Sequence, residues 1–173
     1  MKRLLVVPVV LLTLIIGKLV NSADYQKGQD AAIRGDFATA LKELLPLAQQ
    51  GHVHAQYNLG VMYDKGHGVP QDYAEAIKWY RKAAEQGHVL AQNNLGNMYH
   101  VGEGVSRDYK TAAKWYRLAA EQGYAVAQNN LGNMYHVGEG VSRDYKTAVK
   151  WYKLAAEQGF AAAQNNLGAM YHN

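Results

Sequence analysis

The stretch Asn93 to Gln128, NNLGNMYHVGEGVSRDYKTAAKWYRLAAEQGYAVAQ, returns almost letter for letter as Asn129 to Gln164, so residues 36 apart carry the same side chain. Only Ala113/Val149, Arg117/Lys153, Tyr124/Phe160 and Val126/Ala162 differ between the copies. A looser copy lies one period upstream, where Gly60, Asp72, Trp79, Ala83 and Gly87 hold the register of Gly96, Asp108, Trp115, Ala119 and Gly123. A strict period in this range belongs to stacked arrays rather than to a domain with one central core, because each unit is too small to bury its own apolar face.

The unit reads as a helical hairpin. At about 100° per residue, Ala91, Leu95, Met98 and Tyr99 fall on one face of a first helix. Gly102 to Val105 interrupts it, and Asp108 starts a second helix as its N-cap. In the earlier copy Asp72 and Glu75 form an aspartate variant of the capping box, with Pro70 just upstream. Tyr109, Ala112, Ala113, Tyr116 and Ala120 form the inward stripe of the second helix, Trp115 and Ala119 flank it, and Gly123 ends it. Glycine inside a helix costs about 1 kcal/mol relative to alanine, so the return of Gly60, Gly96, Gly132 and Gly168 predicts the close approach of another helix. Trp79, Trp115 and Trp151 are expected to wedge between adjacent repeats.

These signals divide the chain into repeats at 52–87, 88–123 and 124–159 and a terminal half-repeat at 160–173. Residues 24–51 keep the same register as a degenerate first hairpin, in which Asp36 caps a helix striped by Phe37, Ala40, Leu41, Leu44, Leu45 and Ala48. Pro46 is expected to kink that helix. Arg34-Gly35-Asp36 spells an adhesion tripeptide, but a helix-ending glycine followed by a capping aspartate accounts for it.

Residues 1–23 read as a secretory signal: Lys2-Arg3, then an apolar run from Leu4 to Ile16 that is short of the roughly 20 residues a spanning helix needs. Cleavage is expected after Ser22 or Ala23, and an uncleaved anchor is the alternative. The expected location is periplasmic or secreted. The formal charge of +4 misleads, because Lys2, Arg3 and Lys18 lie in this leader. Without those three, 15 basic residues face 14 acidic ones, which removes the electrostatic case for nucleic acid. The sequence holds no cysteine, which excludes a disulfide framework, thiolate metal sites and a cysteine nucleophile.

The pattern A-x3-L-G-x2-Y-x2-G-x-G-V-x2-D-x3-A-x2-W-x3-A-A-x2-G, carried by Ala91 to Gly123, resembles the Sel-like repeat (SLR), a relative of the tetratricopeptide repeat. It recurs at Ala55 to Gly87 and Ala127 to Gly159, and its first half at Ala163 to Tyr171. The resemblance implies an all-α, right-handed superhelical solenoid of antiparallel helix pairs that serves as a protein-interaction scaffold, often in bacterial envelopes or secretion. It brings no family-wide catalytic residues and no cofactor.

Subtracting the buried stripe leaves Asn93, Asn97 and His100 on the free face of the first helix. Their equivalents are Tyr57, Val61 and Asp64 one repeat earlier, Asn129, Asn133 and His136 one later, and Asn165, Ala169 and His172 at the end. In related superhelices first helices line the concave surface, so these residues are expected to form a polar ladder that grips a peptide or protein partner through amides that both donate and accept. His100, His136 and His172 do not suggest a shared metal: stacked helices lie about 8–10 Å apart, whereas zinc takes nitrogens about 2.0–2.1 Å from one centre. Arg107, Lys110, Lys114 and Arg117, repeated as Arg143, Lys146, Lys150 and Lys153, form a basic ridge on the outer side, read as a solvated face. The alternative function is a β-lactamase-like or cell-wall-related hydrolase, suggested by cysteine-rich relatives. Against it, none of the serines, Ser22, Ser106 and Ser142, begins a Ser-x-x-Lys motif. Ala163 to Asn173 supplies a first helix without its second, so the expectation is a shortened relative of longer arrays, with self-association through the open C-terminal helix as the alternative that light scattering reads.

Overall fold

The computed structural model describes residues 22–172, and among these the regular structure is helical throughout. The first helix, α1, covers residues 22–33. It is followed by α2 (Phe37–Gln49), α3 (Val53–Lys65), α4 (Tyr73–Glu85), α5 (Val89–Val101), α6 (Tyr109–Glu121), α7 (Ala125–Val137), α8 (Tyr145–Glu157) and α9 (Ala161–His172). Apart from Ser22 and Ala23, which open α1, the expected leader lies outside the described residues. No described helix is long and apolar enough to cross a membrane.

Capping sets the helix starts. The carboxylates of Asp36, Asp72, Asp108 and Asp144 accept first-turn backbone N–H groups at α2, α4, α6 and α8, at 2.9 Å from Glu75 N and 3.1 Å from Thr111 N, for example. The capping box expected at Asp72 is only half made, because Glu75 turns its carboxylate to Lys78 Nζ at 2.6 Å instead of back to the Asp72 amide. The Asp72 amide donates to the Tyr63 carbonyl, and Asp108 and Asp144 repeat this with Tyr99 and Tyr135, so the same loop closes each hairpin. Helix α2 runs through Pro46 to Gln49.

From α2 onward, each helix packs chiefly on the one before it and the one after it. The core follows this order. One cluster joins Ala40 and Leu44 of α2 to Leu59 and Met62 of α3, with Trp79 of α4 closing it. The next joins Tyr80 and Ala84 of α4 to Leu95 and Met98 of α5, with Trp115 packed against it. A third joins Tyr116 and Ala120 of α6 to Leu131 and Met134 of α7, with Trp151 packed against it. Each interior therefore straddles the junction between repeats, with one hairpin supplying half of it and its neighbour the rest. This is the architecture of a solenoid.

The mid-helix glycines sit at the crossings. A Cβ built on Gly96 would lie 2.7 Å from the Tyr116 ring, and one on Gly132 would lie 2.6 Å from the Tyr152 ring. Gly60 faces Tyr80 in the same way, whereas nothing lies within 4 Å of a Cβ at Gly168. What approaches these glycines is thus the flat ring of a tyrosine from the second helix.

A buried amide chain ties the junctions together. Gln92, only 4 % exposed, donates from Nε2 to the Ala84 carbonyl at 3.1 Å, and its Oε1 accepts from Gln122 Nε2 at 2.8 Å. Gln56 and Gln128 repeat both bonds with Ala48 and Gln86, and with Ala120 and Gln158. Replacing Gln92 by leucine removes the buried bond to the Ala84 carbonyl, while the exposed Gln122 amide keeps the Gly87 and Leu118 carbonyls, so we expect a loss of about 0.5–1.5 kcal/mol by urea denaturation. A change below about 0.5 kcal/mol, the usual range for a surface site, would show that the chain of amides is decorative.

Candidate functional site

The first helices α3, α5, α7 and α9 share one side of the array, and α3 and α5 touch directly. Side chains bridge them across the repeats: Asn130 Nδ2 lies 3.4 Å from Asn93 Oδ1, and Asn166 Nδ2 donates at 2.9 Å to Asn129 Oδ1 and at 3.2 Å to Asn133 Oδ1. His100 Nε2 lies 3.1 Å from Glu139 Oε2 of the following loop. We call this side the inner face.

The expected ladder residues all lie on these first helices, but they are not equally available. Asn97, Asn133, His136 and Asn165 are exposed, and Asn93 and His100 half-buried. Asn129 is 7 % exposed and held by Asn166, so it belongs to the scaffold. Asp64 accepts the Tyr80 hydroxyl at 3.1 Å, and Asn133 Oδ1 accepts the Tyr152 hydroxyl at 2.7 Å. Tyr57 stacks on the His88 ring with centroids 4.5 Å apart. The side chain of His172 falls outside the described residues.

Two sets of residues were missed from the sequence. One is the second asparagine of each pair, Asn58, Asn94, Asn130 and Asn166: Asn94 lies within hydrogen-bond reach of the Tyr57 and Tyr80 hydroxyls, and Asn58 of the Tyr25 hydroxyl. The other is the tyrosine series Tyr80, Tyr116 and Tyr152, whose hydroxyls head for the inner face while their rings cover the glycines. Burial raises the pKa of all three phenols, with Tyr152 pushed up to about 12, so they are neutral hydrogen-bonding groups at physiological pH. The signal available in the sequence was recurrence itself, since both sets return every 36 residues.

Cavities open on this face among the described residues. One, of about 370 Å³, is lined by Asn97, His100, Tyr116, Asn130, Asn133, Val137 and Glu139, drawn from two successive repeats. Another, of about 510 Å³, lies between α1, α3 and α5 and is lined by Tyr25, Gln29, His54, Tyr57, Asn58, His88 and Gln122, among others. No group of three or more histidine or carboxylate side chains among the described residues is placed to hold a metal ion. The outer basic ridge is partly committed: Arg117 donates to the Tyr135 hydroxyl at 2.7 Å, Arg81 is bonded to Tyr99, and Arg107 and Arg143 lie over the Tyr109 and Tyr145 rings.

The sequence pattern of the Sel1 repeat matches residues 53–88, 89–124, 125–160 and 161–173. The chain belongs to the Sel1 repeat family. Its Sel1 array is similar to a protective antigen of uropathogenic Escherichia coli strains that displays an SLR fold, with a TM-score of 0.84 and 46 % identity over 87 % of this chain and 33 % of that one. It is also similar to a Sel1 repeat protein of Oxalobacter formigenes, with a TM-score of 0.81 and 39 % identity over 85 % of this chain and 60 % of that one. The chain thus spans a third of the first relative and three-fifths of the second. Cysteine-rich protein B of Helicobacter pylori shares the fold alone, at a TM-score of 0.61 and 22 % identity over 76 % of this chain and 95 % of that one. Among curated proteins none matches the chain. Sel1 repeat proteins are typically scaffolds for protein interaction.

Proposed function

We propose that this Sel1 array is an exported scaffold that holds an extended peptide, or an extended segment of a partner protein, along its inner face. The observation that carries this reading is the convergence of Asn97, His100, Asn130, Asn133 and Glu139, from two repeats, on one open cavity. A peptide backbone offers alternating N–H and C=O groups, and carboxamides answer both with one side chain. The inter-repeat bonds among Asn93, Asn130, Asn129 and Asn166 fix the rungs before a ligand arrives, which lowers the ordering cost of binding. Export rests on the leader and is supported by likeness to a protein described as a protective antigen.

Asn97 is the cleanest probe, because it is exposed and its side chain makes no hydrogen bond among the described residues. Asn97→Ala is expected to weaken partner capture about 5- to 10-fold, the equivalent of one net hydrogen bond, while the melting temperature stays unchanged. Asn133→Ala is a poorer probe, since it also strips the Tyr152 hydroxyl of its acceptor. Pull-down of the same partner at undiminished yield by Asn97→Ala would remove the inner face from the binding reaction.

A further inference from the structure

The first two repeats open with histidine where the next two open with Tyr124 and Phe160. His52 and His88 each cap the helix that follows, α3 and α5, by accepting a backbone N–H at Nδ1, from Ala55 and Ala91 respectively, both at 3.2 Å. Tyr124 makes no such side-chain bond. An imidazole that accepts at Nδ1 carries its neutral-form proton on Nε2. His88 Nε2 lies 3.2 Å from Nδ1 of His54, so His88 donates to His54, whose own proton is then on Nε2. Tyr25 stacks on His52 with centroids 4.6 Å apart, and Tyr57 covers His88.

This arrangement leaves no place for a second proton. On His52 or His88 it must enter at Nδ1, where it meets the N–H of Ala55 or Ala91 and ends the cap. A cation at either cap would in addition stand at the positive end of a helix dipole. Tyrosine rings attract cations, but only weakly at exposed sites, and here that attraction opposes the lost bond, the dipole and partial burial together.

We infer that His52 and His88, with His54 bonded between them, form an acid-sensitive latch between α1, α3 and α5, closed while the two capping imidazoles are neutral and released when they take up protons. The groups facing the trio are Tyr25 from α1 and Tyr57 within α3, with Tyr80 of α4 behind Tyr57, all phenols that stay neutral in this range. Asp64 and Tyr124 act on Tyr57, and the one charge-bearing neighbour acting on His52 or His88 is His54. Burial first, and His54 second, hold the His52 and His88 imidazoles below the usual histidine range. The unfolded chain therefore takes up these protons first: their contribution to stability is complete above about pH 6.5 and is lost as pH falls through that value toward the folded pKa values. The latch borders the cavity of about 510 Å³ on the inner face, so acid would reshape that end of the groove. This consequence rests on the inner face being the binding face, whereas the latch itself does not.

The test is amide hydrogen exchange by NMR at pH 7.5 and pH 5.0, corrected for intrinsic rates, on the full chain and on the double variant His54→Leu/His88→Tyr. Both replacements occupy the same register in neighbouring repeats, as Leu90 and Tyr124, so the fold accommodates them. In the natural sequence, protection at the Ala91 amide should fall roughly 2- to 30-fold on acidification, the factor that loss of an N-cap carries. The Ala127 amide behind Tyr124 should not change, and in the double variant Ala91 should be equally weak at both pH values. Unchanged protection at Ala91 in the natural sequence, or the same loss in the double variant, would overturn the latch. Neither reading requires a bound peptide, so the latch can fail while the binding face stands, or stand while the binding face fails.

Discussion

Truncating Trp79 to alanine is expected to cost about 3–5 kcal/mol, a large share of the roughly 5–15 kcal/mol that holds a domain of this kind together. Trp79 is 7 % exposed and completes an interior formed by α1 and α2 of the preceding hairpin and α3 of its own. Removing it opens a cavity that main-chain relaxation cannot fill, because Leu44 and Leu59 beside it are fully buried in helices fixed by their own caps. Since stability in a repeat array is close to a sum over neighbours, the loss should be local. The first hairpin should come away before the rest, and urea unfolding should change from one transition to two. Trp151 is only half-buried against its cluster, so Trp151→Ala should cost less. A loss below about 1.5 kcal/mol for Trp79→Ala would mean that the tryptophan is not what clamps one repeat to the next.

The second large effect is one of sign. Gly96→Ala places a Cβ 2.7 Å from the Tyr116 ring, and Tyr116 is 3 % exposed with no room to retreat. Overpacking of this kind costs about 1–3 kcal/mol, against the roughly 1 kcal/mol that alanine gains over glycine inside a helix. We expect a net loss of up to about 2 kcal/mol. Gly168→Ala has the same local propensity gain and nothing within 4 Å of the new methyl group, so it should stabilise by up to about 1 kcal/mol. Thermal melts of the two variants should therefore move in opposite directions. Stabilisation by both would show that the ring and the helix backbone are not in close contact at Gly96.

Both variants turn on a feature the sequence exposes well. A glycine that returns every 36 residues within an otherwise sound helix has to have a steric reason, and the period that revealed it also placed the caps at Asp36, Asp72, Asp108 and Asp144. The partner of each glycine was harder to read. Tyr80, Tyr116 and Tyr152 were assigned to the inward stripe or left unassigned, but their pairing with a helix 20 residues earlier depends on how the hairpin closes. The inner face was legible by helix and not by bond. Helical spacing put Asn93, Asn97 and Asn133 on one side, yet it could not say that Asn129 would be buried against Asn166, because that bond joins residues 37 apart. Gln92 and Gln128 escaped notice because a glutamine in a helix ordinarily marks solvent, and only the carbonyl of the preceding repeat and the amide that ends its own hairpin make its burial tolerable. The histidine caps escaped for a related reason, since histidine is not among the favoured N-cap residues and its role here depends on which ring nitrogen faces Ala55 or Ala91.

The groove formed by the first helices is the central claim, and a footprint reads it most directly. Peptides selected from a random displayed library against the purified protein should, when bound, slow hydrogen exchange in α5 and α7 around Asn97, Asn130 and Asn133 and leave the outward turns of α4, α6 and α8 unaffected. Failure to select any binding peptide, or a footprint confined to the lysine-rich outer side at Lys114 and Lys150, would contradict the account.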